Sequence, residues 1–194
     1  MTSVGGEGIA RGQQVMAVRT AVGPSIRLFS GAWLDLSSPE TSDFTIEDIA
    51  QGLALQCRYA GQCRDFYSVA EHSLLVSDIV SEDPLGALLH DAAEAFLGDV
   101  TRPLKQMLPD YRKIESQMQR AILERFGLSL IPNPAIKRAD LRVLAAEQHQ
   151  VMPEGTDEWA KRDGIEPANV TVRFLVPSEA KRRFLARYEM LTAT

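Results

Sequence analysis

The segment Pro84-Leu-Gly-Ala-Leu-Leu-His-Asp-Ala-Ala-Glu-Ala-Phe-Leu-Gly-Asp99 constrains this chain most, because an adjacent His-Asp pair interrupts an apolar run in which neither residue helps packing. Asp83 followed by Pro84 supplies an N-cap and a first-turn proline, and Gly98 a terminator, so the spacing predicts one helix between them. On that helix His90 and Glu94 share a face, and Asp91 lies about 100° round from His90. Neutral imidazole with carboxylate suits a divalent transition metal, and Glu94 one turn on is placed to hold a water on it.

Two further predicted helices bring donors of the same kind. Ser68-Val-Ala-Glu71 reads as a capping box, followed by Leu74, Leu75, Ile79 and Val80, so a helix is expected from Ser68 with His72 in its first turns. The short link to Pro84 favours antiparallel neighbours, which would bring His72 and His90 together. Asn133-Pro134 opens another helix, whose stripe is Ile136, Ala139, Val143 and Ala146, with Asp140 one residue off its centre. His72, His90, Asp91 and Asp140 are thus two imidazoles and two carboxylates from three helices, a set that bundles hold in their interior for a metal. The third histidine of the chain, His149, has no partner motif and reads as solvent-facing or hydrogen-bonded.

The rest of the chain is expected to frame this set. Residues 1–22 read as a flexible leader and 23–194 as a single domain. Ser25-Ile-Arg-Leu-Phe and Ala32-Trp-Leu-Asp-Leu form a small hairpin. Thr45-Ile-Glu-Asp starts a helix carrying Ile46, Ile49, Leu53 and Cys57 and ending near residues 59–61. Thr101-Arg-Pro-Leu-Lys105 is expected to be a turn beside the carboxylates. Tyr111, Ile114, Met118, Ile122 and Phe126 mark a long amphipathic helix stopped by Gly127, and a last helix runs from about Ser178. Residues 152–169 are too long for a simple connector and read as a loop flanking or covering a site.

Composition excludes several roles. A net charge of -5 argues against long nucleic acid as partner, while small anions stay open. No run of 18 apolar residues occurs and Met1 to Gly12 lacks the order of a signal peptide, so no membrane partner and a cytoplasmic location are expected. Cys57 and Cys63 have neither zinc nor redox spacing and read as reduced thiols.

The ordered set His72, His90-Asp91 and Asp140 resembles the HD-domain phosphohydrolases, in the nucleotide-hydrolysing branch similar to bacterial deoxynucleotide 5′-phosphatases and phage-type dNTP phosphohydrolases. Arg58-Tyr-Ala-Gly, Tyr67-Ser-Val-Ala-Glu-His-Ser73, Ala87-Leu-Leu-His-Asp-Ala-Ala-Glu94, Gly98-Asp99 and Arg102-Pro-Leu-Lys105 match that branch's segments, within a likeness running from about Ile26 through Met152. The resemblance implies an all-α HD-domain helical bundle, a metal held by those four residues, a homo-oligomer, and hydrolysis of phosphate ester or anhydride bonds of (deoxy)nucleotides by a metal-bound water. A dNTP triphosphohydrolase and a non-catalytic nucleotide sensor are the alternatives.

Within that reading Glu94 is general base or water-orienting group, and Asp99 is the family-matched partner for the leaving group or the attacking water. An ion with two Asp ligands is roughly neutral, so phosphate needs further cations, for which Arg58, Arg102 and Lys105 are nearest in sequence. Tyr59 is expected at the sugar, and Trp33 with Asp35 at the base. Dinuclear members of the superfamily use additional histidines, so three favour a single ion, which manganese, cobalt, iron or zinc would satisfy.

Overall fold

A computed structural model of the protein describes residues 23–193; the expected leader, residues 1–22, lies outside them. In chain order they form β1 (Ser25–Arg27), β2 (Trp33–Asp35), α1 (Ile46–Leu55), α2 (Val69–Ile79), α3 (Pro84–Leu88), α4 (Glu94–Leu97), α5 (Arg102–Met107), α6 (Pro109–Arg125), α7 (Pro134–Val151), α8 (Glu158–Arg162) and α9 (Pro177–Thr192). The fold is mainly α, with one small antiparallel hairpin in which Ile26 pairs with Leu34.

Local chemistry sets the ends of these elements. Gly31, at φ 90°, makes the hairpin turn, and Leu34 of β2 is fully buried. Thr45 caps α1 in a reciprocal box with Asp48, whose other carboxylate oxygen accepts from Ser30 N at 2.7 Å, so one side chain ties the hairpin turn to the first helix. Asn133 caps α7 through Ala135 N, and Gly127, at φ 66°, ends α6 as expected.

The helix α2 is central, packing against α1, α3, α7 and α9. With these neighbours it buries Ile49, Leu53, Val69, Leu88, Leu89 and Phe184 in one cluster, while Val76, Ala87 and Val143 form a second between α2, α3 and α7. At Gly52 a Cβ would collide with the backbone of Ala95, so glycine is what lets α1 approach α4 this closely.

Four sequence expectations are corrected. The helix predicted from Pro84 to Gly98 is two short helices, α3 and α4, separated by tight turns in which Ala92 N bonds Leu89 O and Glu94 N bonds Asp91 O. These i→i+3 bonds wind the chain tighter than an α-helix and put His90 and Asp91 in the break itself. The helix α1 stops at Leu55, well before residues 59–61, because the backbone after it pairs with the strand-like stretch before α2: Arg58 N bonds Tyr67 O and Val69 N bonds Gln56 O. The turn expected over 101–105 is the start of α5, which tolerates Pro103 in its first turn. The box expected at the start of α2 is half made: Ser68 accepts from Glu71 N, while the Glu71 carboxylate accepts from Arg173 N and Leu175 N, tying the approach to α9 onto α2.

Candidate metal centre

Buried histidines need both ring nitrogens satisfied, and here only one of each pair is. His90 Nδ1 lies 2.8 Å from Ala87 O, which can only accept, so Nδ1 carries the proton. His72 Nδ1 lies 2.8 Å from Glu147 Oε2, again an acceptor. Both Nε2 atoms are buried and have no hydrogen-bond partner among the described residues.

These two Nε2 atoms face the predicted carboxylates. His72 Nε2 is 3.6 Å from Asp91 Oδ2 and 3.4 Å from Asp140 Oδ1, and His90 Nε2 is 3.2 Å and 4.0 Å from the same atoms. Donor atoms around one ion at about 2.1 Å stand roughly 3 to 3.4 Å apart, so the spacing fits a shared cation with little movement. His72, His90 and Asp91 form a compact group that could hold a metal, and Asp140 adjoins it. Hydrogen-bonded Nδ1 with free Nε2 is the arrangement that orients imidazole toward a metal. Asp91 and Asp140 are held ionised: burial would raise their pKa values, and the histidines beside them outweigh it. At His72 burial lowers the pKa, yet the Glu147 and Asp140 carboxylates push it up to about 9, so the cluster draws positive charge into itself.

Glu147 is the residue that sequence reasoning missed. It is fully buried on α7 and accepts from Arg58 Nε (3.1 Å) and Nη2 (2.7 Å), the hydroxyls of Tyr59 and Tyr67 (2.6 Å each) and His72 Nδ1. Burial works against its charge, and Arg58 foremost brings the carboxyl down to about 2. The available signal was its place seven residues after Asp140, two turns along the same face of one helix.

Glu94 and Asp99 stand over the site. Burial first, then Asp91 and Asp99, raise the Glu94 carboxyl to about 9; its Oε2 is buried without a partner and its Oε1 is 3.3 Å from Lys105 Nζ. Burial also raises Asp99. Gln56 positions both, accepting from Asp99 N and donating to Glu94 O. A cavity of about 560 Å³ opens over Asp91, Glu94, Asp99 and Asp140, with Arg58, Arg102, Lys105 and Lys137 as its cations.

The expected substrate cations are not equivalent. Arg58, expected as a phosphate cation, turns its fork inward onto Glu147 and presents only Nη1 toward the site, 3.8 Å from Asp91 Oδ2. Arg102 is exposed and has no carboxylate within 4.0 Å among the described residues, so its charge is free. Lys105 is shared between Glu94 and Glu115. Lys137, which the sequence did not single out, is mostly exposed and 2.6 Å from Asp140 Oδ2.

Tyr59 reaches the cavity, but its hydroxyl faces Glu147. Trp33 and Asp35 line none of the cavities that meet at Asp91. Their hairpin packs on the Pro39–Thr41 turn, where the Arg27 guanidinium covers the Trp33 ring and Asp35 closes a turn with Ser37. His149 is exposed and pairs with Asp157 at 3.2 Å. Cys57 and Cys63 are free thiols with sulfurs 3.5 Å apart.

Fold and site together define a mainly helical protein with a candidate metal centre of imidazoles and carboxylates at the foot of a cation-lined cavity. No family model matches the chain. It is 36% identical over 169 residues to Uncharacterized protein YfdR of Escherichia coli K12, covering 86% of this chain and 95% of that protein. It is 38% identical over 184 residues to Uncharacterized protein RCAP_rcc00048 of Rhodobacter capsulatus, covering 85% of this chain and 94% of that one. The chain belongs to the family of these two proteins.

Proposed function

We propose that the protein is a metal-dependent phosphohydrolase of the HD-domain type acting on nucleotides, deoxynucleotides foremost. The observation that carries the reading is the pair of buried imidazole Nε2 atoms without hydrogen bonds, facing Asp91 and Asp140 beneath a cavity lined by cations. A divalent ion bound there would supply Lewis acidity toward a phosphoryl oxygen and a water of lowered pKa.

The chain's own residues supply the rest. Arg102, Lys105, Lys137 and the Nη1 edge of Arg58 bring positive charge to the phosphate, which the neutral sum of an ion and two carboxylates cannot do. Burial and the charges of Asp91 and Asp99 hold the Glu94 carboxyl protonated; with a bound ion offsetting those charges it would orient or deprotonate the attacking water at Oε2, the oxygen that is buried without a partner. Asp99, which lines the same cavity and whose backbone N–H is held by Gln56, protonates the departing oxygen or positions the attacking water. Glu147 keeps the His72 Nδ1 proton in place and so leaves Nε2 as the ring atom turned to Asp91 and Asp140.

The test is phosphate release from dNMPs, NMPs and dNTPs by metal-stripped protein refilled with manganese, cobalt or zinc, with Asp91→Ala alongside. Metal-dependent release that the variant loses is expected, and the products separate phosphate from triphosphate loss. No turnover with any metal, despite saturable nucleotide binding, contradicts the reading.

A further inference from the structure

The cavity over the site has a second end whose chemistry the hydrolysis does not use. Leu144 and Gln148 follow Asp140 by four and eight residues, about one and two turns further along α7, and with Tyr59 and Trp159 they add to its lining. Trp159 belongs to α8, inside the 152–169 segment expected to flank a site. Its indole N–H donates to Gln148 Oε1 at 2.6 Å, which fixes the ring against α7 and takes up its one polar group. Although half-buried, Trp159 packs into none of the apolar clusters of the described residues, so the protein interior does not account for its ring.

Other features of this segment hold that ring in place. Asp157, at the start of α8, pairs with His149 of α7, and Ala160 next to the tryptophan is buried, with Ile165 N bonding its carbonyl. Tyr59, in the same lining, has its hydroxyl engaged by Glu147, so it too offers ring rather than hydroxyl. Tyr59 and Ala60 hold left-handed backbones at φ 57° and 51°, unfavourable for non-glycine residues, which marks this turn as constrained by its surroundings.

We propose that Trp159 determines specificity for the planar heterocyclic end of the substrate, its ring and that of Tyr59 forming the walls on which a nucleobase stacks. The cations and carboxylates hold the phosphate at one end of the cavity, and the aromatic end selects a nucleotide over a phosphate ester that lacks a base. This rests on the nucleotide reading and adds to it the residue that reads the base. Stacking of a base on an aromatic side chain corresponds to roughly tenfold or more in affinity.

The experiment compares dAMP and dTMP with 2-deoxyribose 5-phosphate, which has the same phosphate and sugar and no base. The intrinsic tryptophan fluorescence of the wild-type protein is expected to change saturably with either nucleotide and not with the sugar phosphate, and Trp159→Phe is expected to remove that change. The ratio of kcat/KM for dAMP over 2-deoxyribose 5-phosphate is expected to fall about tenfold in Trp159→Ala and to be largely kept in Trp159→Phe. Hydrolysis with no fluorescence response, or a ratio within about twofold of wild type in Trp159→Ala, overturns the role of Trp159 and leaves the phosphohydrolase standing. A response that requires Trp159, without hydrolysis of any nucleotide, supports the base wall and overturns the phosphohydrolase.

Discussion

Five donor contacts converge on Glu147, from Arg58 twice, Tyr59, Tyr67 and His72, and among the described residues no other side chain fixes so much of the site. Glu147→Gln keeps the shape but removes the charge opposite a buried guanidinium. Leaving one partner of a buried ion pair uncompensated costs about 3 to 5 kcal/mol, which urea unfolding would measure. Because the His72 tautomer depends on the same carboxylate, metal affinity by titration calorimetry is expected to fall by roughly 10- to 100-fold. Asp48 gives a pH-dependent counterpart remote from the site. Burial would raise its pKa, but hydrogen bonds from Ser30 and Thr45 outweigh it and hold the carboxyl below 3.8. A carboxyl lowered by folding adds stability above its unfolded value and loses it as pH falls through the folded one. Asp48→Asn is therefore expected to cost about 1 kcal/mol at pH 7, with the gap to wild type closing in acid thermal melts. At this scale the candidate donors His72, His90 and Asp91 were legible, since a His or Asp in an apolar run stands out against its neighbours. Glu147 was not, because its partners Arg58, Tyr67 and His72 lie about 75 to 90 positions earlier and only folding brings them together.

Among the elements, legibility followed the length of the pattern. The helices α6, α7 and α9 stand close to where periodicity and caps placed them, each carrying an apolar stripe over four or more turns. The run from Pro84 to Gly98 has equally good helical periodicity and breaks nonetheless. The reason is tertiary: His90 Nδ1 takes the Ala87 carbonyl, Gln119 accepts from Ala93 N and donates to Leu89 O, and the chain between is drawn into tight turns. Those turns place His90 and Asp91 beside His72, with the imidazole centroids 5.3 Å apart. The scaffold behind them is α9, whose Phe184 is fully buried in the cluster shared with α1, α2 and α4. Phe184→Ala is expected to cost about 3 to 5 kcal/mol by chemical denaturation, with an unchanged denaturant slope. A loss under 1 kcal/mol would mean that α9 is not needed to hold α2 in place.

Over the whole molecule, the helices that frame the core also deliver the site: His72 comes from α2, His90 and Asp91 from the break between α3 and α4, and Asp140 and Glu147 from α7. Among the described residues no helix is long and apolar enough to cross a membrane. An ion held by a site assembled from three separate parts of the chain would bind only the folded state, so manganese at one hundred times its Kd is expected to add about 2.7 kcal/mol of stability. The most direct measurement is phosphate release from dAMP against manganese bound per chain, for the wild-type protein and for Asp91→Asn. A single site using His72, His90, Asp91 and Asp140 predicts that activity rises in proportion to occupancy, levels off at one ion per chain, and is lost with the ion in the variant. Activity that ignores occupancy, or that survives in Asp91→Asn at wild-type level, would contradict the metal centre as the seat of the chemistry.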